Sequence, residues 1–150
     1  MSMPIHLLPH ARVVCTICCF MLTGAAVGCD ETAPTAPTTA QLEGTWQLIS
    51  IQPVGQANQV APAGADYSLM FDQARLSTRV DCNTCNGSYA LSGFTLTVGP
   101  ALACTRAACA TMAFAAEYTR MLGGDSTVEL SGDTLLLSSP RGAIRFSRRS

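Results

Sequence analysis

The chain contains no lysine: all nine of its basic residues are arginine. Its only histidines, His6 and His10, lie at the extreme amino terminus. A domain built from the remainder lacks the side chain that titrates near neutral pH, and with it the usual general base. It also lacks a Schiff-base amine and a phosphate-loop lysine. Serine–histidine, cysteine–histidine, histidine–metal and nucleotide-loop chemistries are excluded together. Charged residues make up only 13% of the chain and sum to −1. That balance gives no electrostatic reason to bind nucleic acid, and none is expected as a partner. Carboxylates, hydroxyls, arginine and eight cysteines are what remains for chemistry.

The amino-terminal part differs from the rest. Val13 to Gly28 is an uncharged run of sixteen residues, short of the ~20 that a permanent spanning helix needs. It fits the apolar segment of a secretory signal. The run ends Ala25-Ala26-Val27-Gly28-Cys29. These residues resemble the lipobox of bacterial lipoproteins, although Ala26 stands where leucine is commoner. The resemblance implies that residues 1–28 are a signal peptide and that Cys29 is acylated as the new amino terminus. The membrane is then a partner through the lipid anchor, and the location is the cell envelope, periplasmic or surface-facing. An ordinary signal peptide with an incidental Cys29, or an uncleaved anchor, are the other readings. Asp30 resembles the residue that retains enteric lipoproteins at the inner membrane; inner or outer membrane stays open. Residues 30–40 are rich in proline, threonine and alanine and read as an extended spacer, so residues 29–40 form a lipidated linker.

Residues 41–150 read as one domain of modest core. Gly44 to Ile51 is expected to be a strand with Trp46 and Leu48 on one face. Tyr67–Phe71 and Leu76–Val80 alternate in polarity and form a hairpin about Asp72-Gln73-Ala74. A second hairpin joins Ser88–Leu91 to Phe94–Val98 through Ser92-Gly93. Thr127–Leu130, Thr134–Ser138 and Ala143–Ser147 follow as further strands. Ahead of these late strands and after the second hairpin, Ala110, Phe114, Tyr118, Met121 and Leu122 recur at helical spacing. The pattern predicts a helix over 106–122, capped by Thr105 and stopped by Gly123-Gly124. One helix cannot cover a broad flat sheet. The expected fold is therefore mainly β (α+β): a small, partly open antiparallel β-barrel with one packed helix.

Four cysteines fall in this domain, as Cys82-x-x-Cys85 and Cys104-x-x-x-x-Cys109. The spacing admits a four-cysteine zinc site or disulfides. Export to an oxidising compartment favours disulfides. A hairpin turning at Ser92-Gly93 brings the region before Gly87 towards the region after Gly99. Nested pairing then gives Cys82–Cys109 and Cys85–Cys104. A Cys82–Cys85 bond would instead be a redox motif. Such motifs sit at helix N-termini, whereas Cys82 to Tyr89 reads as a turn followed by a strand.

Leu42-Glu43-Gly44-Thr45-Trp46, Asp81-Cys82-Asn83 with Gly87-Ser88-Tyr89, Thr105-Arg106-Ala107-Ala108-Cys109 and Gly132-Asp133-Thr134-Leu135 together resemble the META domain. That family includes the heat-shock protein HslJ and many bacterial lipoproteins. Asp81 stands where the family usually has glycine, and Ala107 where it often has methionine. The resemblance implies a half-open barrel with a helix, a role in the envelope or in stress, and no enzyme activity. We therefore expect no catalytic residue, cofactor or metal. The expected role is a non-enzymatic envelope lipoprotein, a monomer, that meets an apolar ligand or an envelope protein. The alternatives are a thiol–disulfide redox protein using Cys82 and Cys85, and a carboxylate hydrolase using Asp66, Asp72, Asp81 or Glu117.

Overall fold

A computed structural model describes residues 34–150. The signal peptide, the cleavage site and Cys29 lie outside the described residues. The elements run α1 (Thr39–Leu42), β1 (Gly44–Pro53), β2 (Gln59–Val60), β3 (Tyr67–Asp72), β4 (Arg75–Val80), β5 (Asn83–Ser92), β6 (Thr95–Val98), β7 (Ala103–Cys104), α2 (Met112–Leu122), β8 (Gly124–Ser131), β9 (Thr134–Ser139) and β10 (Gly142–Arg148). Eight strands follow one another in an antiparallel ring, β1-β3-β4-β5-β6-β8-β9-β10. β10 then pairs back onto β1, from Trp46↔Arg148 to Pro53↔Gly142. The barrel, expected to be partly open, is closed. β2 and β7 lie off the ring, on β1 and β5.

Closure depends on a close backbone approach at Gly142. Its φ is +132°, and a Cβ there would meet the Gln52 carbonyl oxygen and the Pro53 Cα of β1. Only glycine permits that contact. β1 also carries a bulge between Leu48 and Ser50. One extra residue shifts the inward phase. Trp46, Leu48 and Ile51 are therefore buried, while Ile49 is left exposed.

The strands turn inward a dense apolar set, including Leu69, Phe71, Leu76, Leu96, Val128 and Phe146. Closure removes every sheet edge in the ring but leaves two ends to cover. At one end, the turns at Gln73-Ala74, Gly93-Phe94 and Gly132-Asp133 surround α1. The short helix starts at a capping box, with Thr38 Oγ1 accepting from Gln41 N–H and Gln41 Oε1 accepting from Thr38 N–H. Thr39 and Ala40, expected in the extended spacer, are thus helical, because Thr38 supplies the cap. Leu42 is fully buried. Trp46 Nε1–H donates to the Leu42 carbonyl at 2.8 Å. Arg148 lies 4.2 Å over the indole and donates to the Gln41 and Glu43 carbonyls at 2.7 and 3.0 Å.

At the other end lies α2, with Tyr118, Met121 and Leu122 buried. The expected start at Arg106 is overturned: the helix begins at Met112. Thr105 does not cap it. Its hydroxyl accepts from Thr84 N–H and donates to Asn83 Oδ1. Ala107 N–H donates to the Asn83 side chain and the Ala107 carbonyl accepts from it. Backbone groups engaged in this way cannot enter a helical ladder.

The indole of Trp46 holds α1 in place and fills the core beneath it. Trp46→Phe removes that hydrogen bond and part of the buried volume, and is expected to cost roughly 2–3 kcal/mol. Urea unfolding will read the loss, and hydrogen exchange at the Leu42 amide will accelerate.

Candidate functional site

The chemistry-bearing residues converge at the α2 end. Residues 99–111 cross from β6 to α2 as a strap laid on the start of β5. β7 within it pairs Cys104 with Cys85 and Ala103 with Asn86. Two disulfides fasten it, Cys82–Cys109 and Cys85–Cys104, with sequence separations of 27 and 19. Cys85 is buried in the core, whereas Cys82 and Cys104 are exposed. Cys82 and Cys85 thus bond to different partners. Cys82 lies in a turn, as expected, but the strand expected from Ser88 begins already at Asn83. It is drawn into the sheet by pairing with β4 on one side and the strap on the other.

Asn83 is the hub of the strap. Its Oδ1 accepts from Ala107 N–H at 2.8 Å and from Thr105 Oγ1 at 2.9 Å. Its Nδ2 donates to the Ala107 carbonyl at 3.0 Å and also lies 3.0 Å from Cys109 Sγ. In the sequence Asn83 stands out only as part of the Asp81-Cys82-Asn83 motif, with no role attached. The signal was its place beside Cys82, which fixes it opposite the same segment that Cys82 crosslinks.

Asp81 precedes this hub with φ +59°. The left-handed conformation favours glycine and tolerates aspartate, which accounts for the departure at this position. The side chain gains a use that glycine lacks. Asp81 Oδ2 accepts from Thr111 N–H at 3.0 Å and from Thr111 Oγ1–H at 2.7 Å. With its one proton committed, Thr111 Oγ1 accepts from the Tyr67 hydroxyl at 2.6 Å. Behind them the Tyr118 hydroxyl pairs with Thr78 Oγ1 at 2.8 Å, and Thr78 donates to the Ser68 carbonyl. The rings of Phe114 and Tyr118 meet Tyr67 edge-on at 5.0 and 5.6 Å.

The remaining candidate carboxylates do not assemble. Glu117 pairs with Arg120 on α2, Asp72 is exposed at the α1 end, and Asp66 lies in the loop just before β3. Among the described residues, no group of three histidines, cysteines or carboxylates is placed to hold a metal ion. The arrangement is a fastening: two covalent bonds and a chain of hydrogen bonds that fix strap and helix over the barrel end.

A closed eight-stranded barrel, covered by α1 at one end and by α2 under a disulfide-bonded strap at the other, defines the fold. The model of the META domain family matches residues 39–150, and the chain belongs to that family. A solution structure of a protein from Burkholderia xenovorans is similar, with a TM-score of 0.62 at 23% identity. That match covers 81% of this chain and 97% of the other. A second solution structure gives a TM-score of 0.60 at 24% identity, over 75% and 95% of the two chains. Both share the fold. No curated protein matches the chain.

Each bridge alone would contribute about 3 kcal/mol by restricting the unfolded chain, and less beside the other because the loops are nested. Cys82→Ala with Cys109→Ala, and Cys85→Ala with Cys104→Ala, are each expected to fold and to lose roughly 2–3 kcal/mol. The second pair will lose more, because it also removes the buried sulfur of Cys85. Urea unfolding of the two variants will rank them.

All three tyrosines have raised phenol pKa values. Burial is the main cause in each, partly opposed at Tyr67 by Thr111 and at Tyr118 by Thr78, and reinforced at Tyr89 by Glu43 and Asp72. A phenol that holds its proton more tightly when folded contributes full stability below its unfolded value near 10. That contribution falls as pH rises from there towards the folded values. Spectrophotometric titration is expected to show tyrosinate appearing above the ordinary range, together with unfolding. Tyrosinate forming near pH 10 in the folded protein contradicts this.

Proposed function

We propose that this chain is a non-enzymatic lipoprotein of the cell envelope, a monomer that presents a rigid META domain to a protein partner. The observation that carries the reading is the oxidised strap: all four cysteines of the domain are joined in two bridges. Disulfides of this kind persist in exported proteins and are rare in the cytosol. The apolar leader and the small residues before Cys29 supply a route out of the cytosol and an anchor. The lack of histidine and lysine after residue 12 and the scattered carboxylates support a role without catalysis.

Between an apolar ligand and a protein partner, the packing favours the protein. Trp46, Tyr67, Phe71, Tyr118 and Phe146 occupy the barrel interior with almost no exposure. α1 and α2 cover its ends. The larger clefts are open grooves on the surface, such as that between Gly99, Leu102 and Cys104 of the strap and Thr119 of α2.

Intact mass of the protein extracted from membranes tests this reading. A chain beginning at Cys29 and carrying acyl mass is expected, with a further gain on reduction that matches two bridges. A full-length cytosolic product with four free thiols in the domain would falsify it.

A further inference from the structure

The two disulfides that fasten the strap have different surroundings. Cys85 is buried in the apolar core. Its partner Cys104 is exposed but sits in β7, paired across the ladder with Cys85 itself. A thiolate that attacks Cys104 must drive the Cys85 sulfur off as an anion inside that core. An unpaired charge is costly there, and a poorly stabilised thiolate leaves slowly. Attack at Cys85 is blocked by its burial.

The Cys82–Cys109 bridge has neither restraint. Cys82 is exposed in the turn between β4 and β5, and Cys109 is half-buried in the irregular part of the strap. The two hydrogens of Asn83 Nδ2 go to the Ala107 carbonyl and to Cys109 Sγ, each at 3.0 Å. A donor is therefore in place on Cys109, and its hydrogen bond strengthens as that sulfur becomes an anion. The strap is also held on both sides of this bridge by other means. Cys104 stays bonded to Cys85, and Thr111 stays on Asp81. Asn83 Oδ1 keeps the Ala107 N–H. Opening Cys82–Cys109 leaves these contacts intact and keeps its two sulfurs close together.

We propose that Cys82–Cys109 is a thiol-exchange site, opened by a dithiol reductant while Cys85–Cys104 stays closed and the fold is kept. One thiolate of the dithiol attacks Cys82 Sγ. The bond to Cys109 breaks, and Cys109 keeps the electron pair and takes a proton. The second sulfur of the dithiol then attacks the first, and Cys82 leaves as a thiol. Two electrons and two protons pass to the protein, and the dithiol becomes a disulfide. The same tethering selects the class of reductant. A monothiol on Cys82 faces Cys109 at high effective concentration and is expelled as the bridge re-forms. A dithiol carries its own tethered second sulfur and completes the exchange. The inference goes beyond the envelope role and rests on the bridges, not on the lipid anchor.

The test uses the full chain produced in cells and purified without reductant. Thiols already free are blocked with iodoacetamide. Limiting dithiothreitol is then added without denaturant, and the thiols released over time are capped with N-ethylmaleimide and assigned by peptide mass. Cys82 and Cys109 are expected to be capped together, roughly tenfold or more ahead of Cys85 and Cys104. The rate should rise in proportion to dithiothreitol, and the near-ultraviolet circular dichroism of the buried aromatic side chains should persist. Glutathione at the same thiol concentration should leave the bridge closed. Opening of both bridges together, opening of Cys85–Cys104 first, or a rate independent of dithiothreitol overturns the proposal, because each means that unfolding and not native exposure admits the reductant. Glutathione that opens the bridge as fully as dithiothreitol overturns the choice of a dithiol. Four domain cysteines already blocked by iodoacetamide remove the exchange site and the envelope reading together, whereas any of the other failures leaves the envelope reading standing.

Discussion

The pairing of β1 with β10 is the contact on which the rest of the structure depends. It joins the first strand of the ring to the last over Trp46↔Arg148 to Pro53↔Gly142, and so turns a meander into a barrel. Without it, two long strands would expose a row of unpaired backbone groups. With it, the interior becomes a fixed volume that side chains must fill and two ends that something must seal. Gly142 is the tightest point of that seam, because no side chain fits between its backbone and β1. Arg148 belongs to the same seam. Its guanidinium covers Trp46 and binds the carbonyls around α1, so closing the ring also fastens one lid.

The opposite lid is fastened by other means. α2 is short and its N-cap residue, Thr111, makes no side-chain cap of its own. Asp81 instead reaches across from the turn between β4 and β5 and takes both donors of Thr111. The strap that leads into α2 is bound by Asn83 and by both disulfides. Conformation, hydrogen bonding and covalent chemistry thus all pull the same segment onto β5. Asp81 Oδ2 and both polar atoms of the Asn83 amide are thereby engaged within the fold.

Much of this was legible in the sequence. Alternation in Tyr67–Phe71 and Leu76–Val80 placed the first hairpin, because the pleat has a period of two and a hairpin buries one face, and turn residues placed the later ones. Four features were not legible, each because a partner elsewhere overrides a local preference. Residues 106–111 have helical composition, yet Asn83 and Cys82 capture Ala107 and Cys109 first. Thr39 and Ala40 look like spacer, yet the Thr38–Gln41 capping box and the Arg148 contacts make them helix. Asn83 to Gly87 reads as a turn, yet strands on both sides recruit it. The bulge at Leu48–Ser50 is of the same kind: only the register against β10 reveals why Ile51, and not Ile49, is buried.

The two lids therefore differ in how they resist disturbance. The α2 lid is covalent, and two loops must be opened by reduction before the strap can leave β5. The α1 lid is non-covalent, held by one indole hydrogen bond, one stacked guanidinium and the burial of Leu42. A pull on the linker enters through α1, so its load falls first on Arg148 and Trp46, which sit on the two strands that close the ring. Force applied there runs along the β1–β10 seam, across a full row of backbone hydrogen bonds, before it reaches any single side chain of the core. The two ends are thus fastened independently, one through the β1–β10 seam and the other through the disulfides.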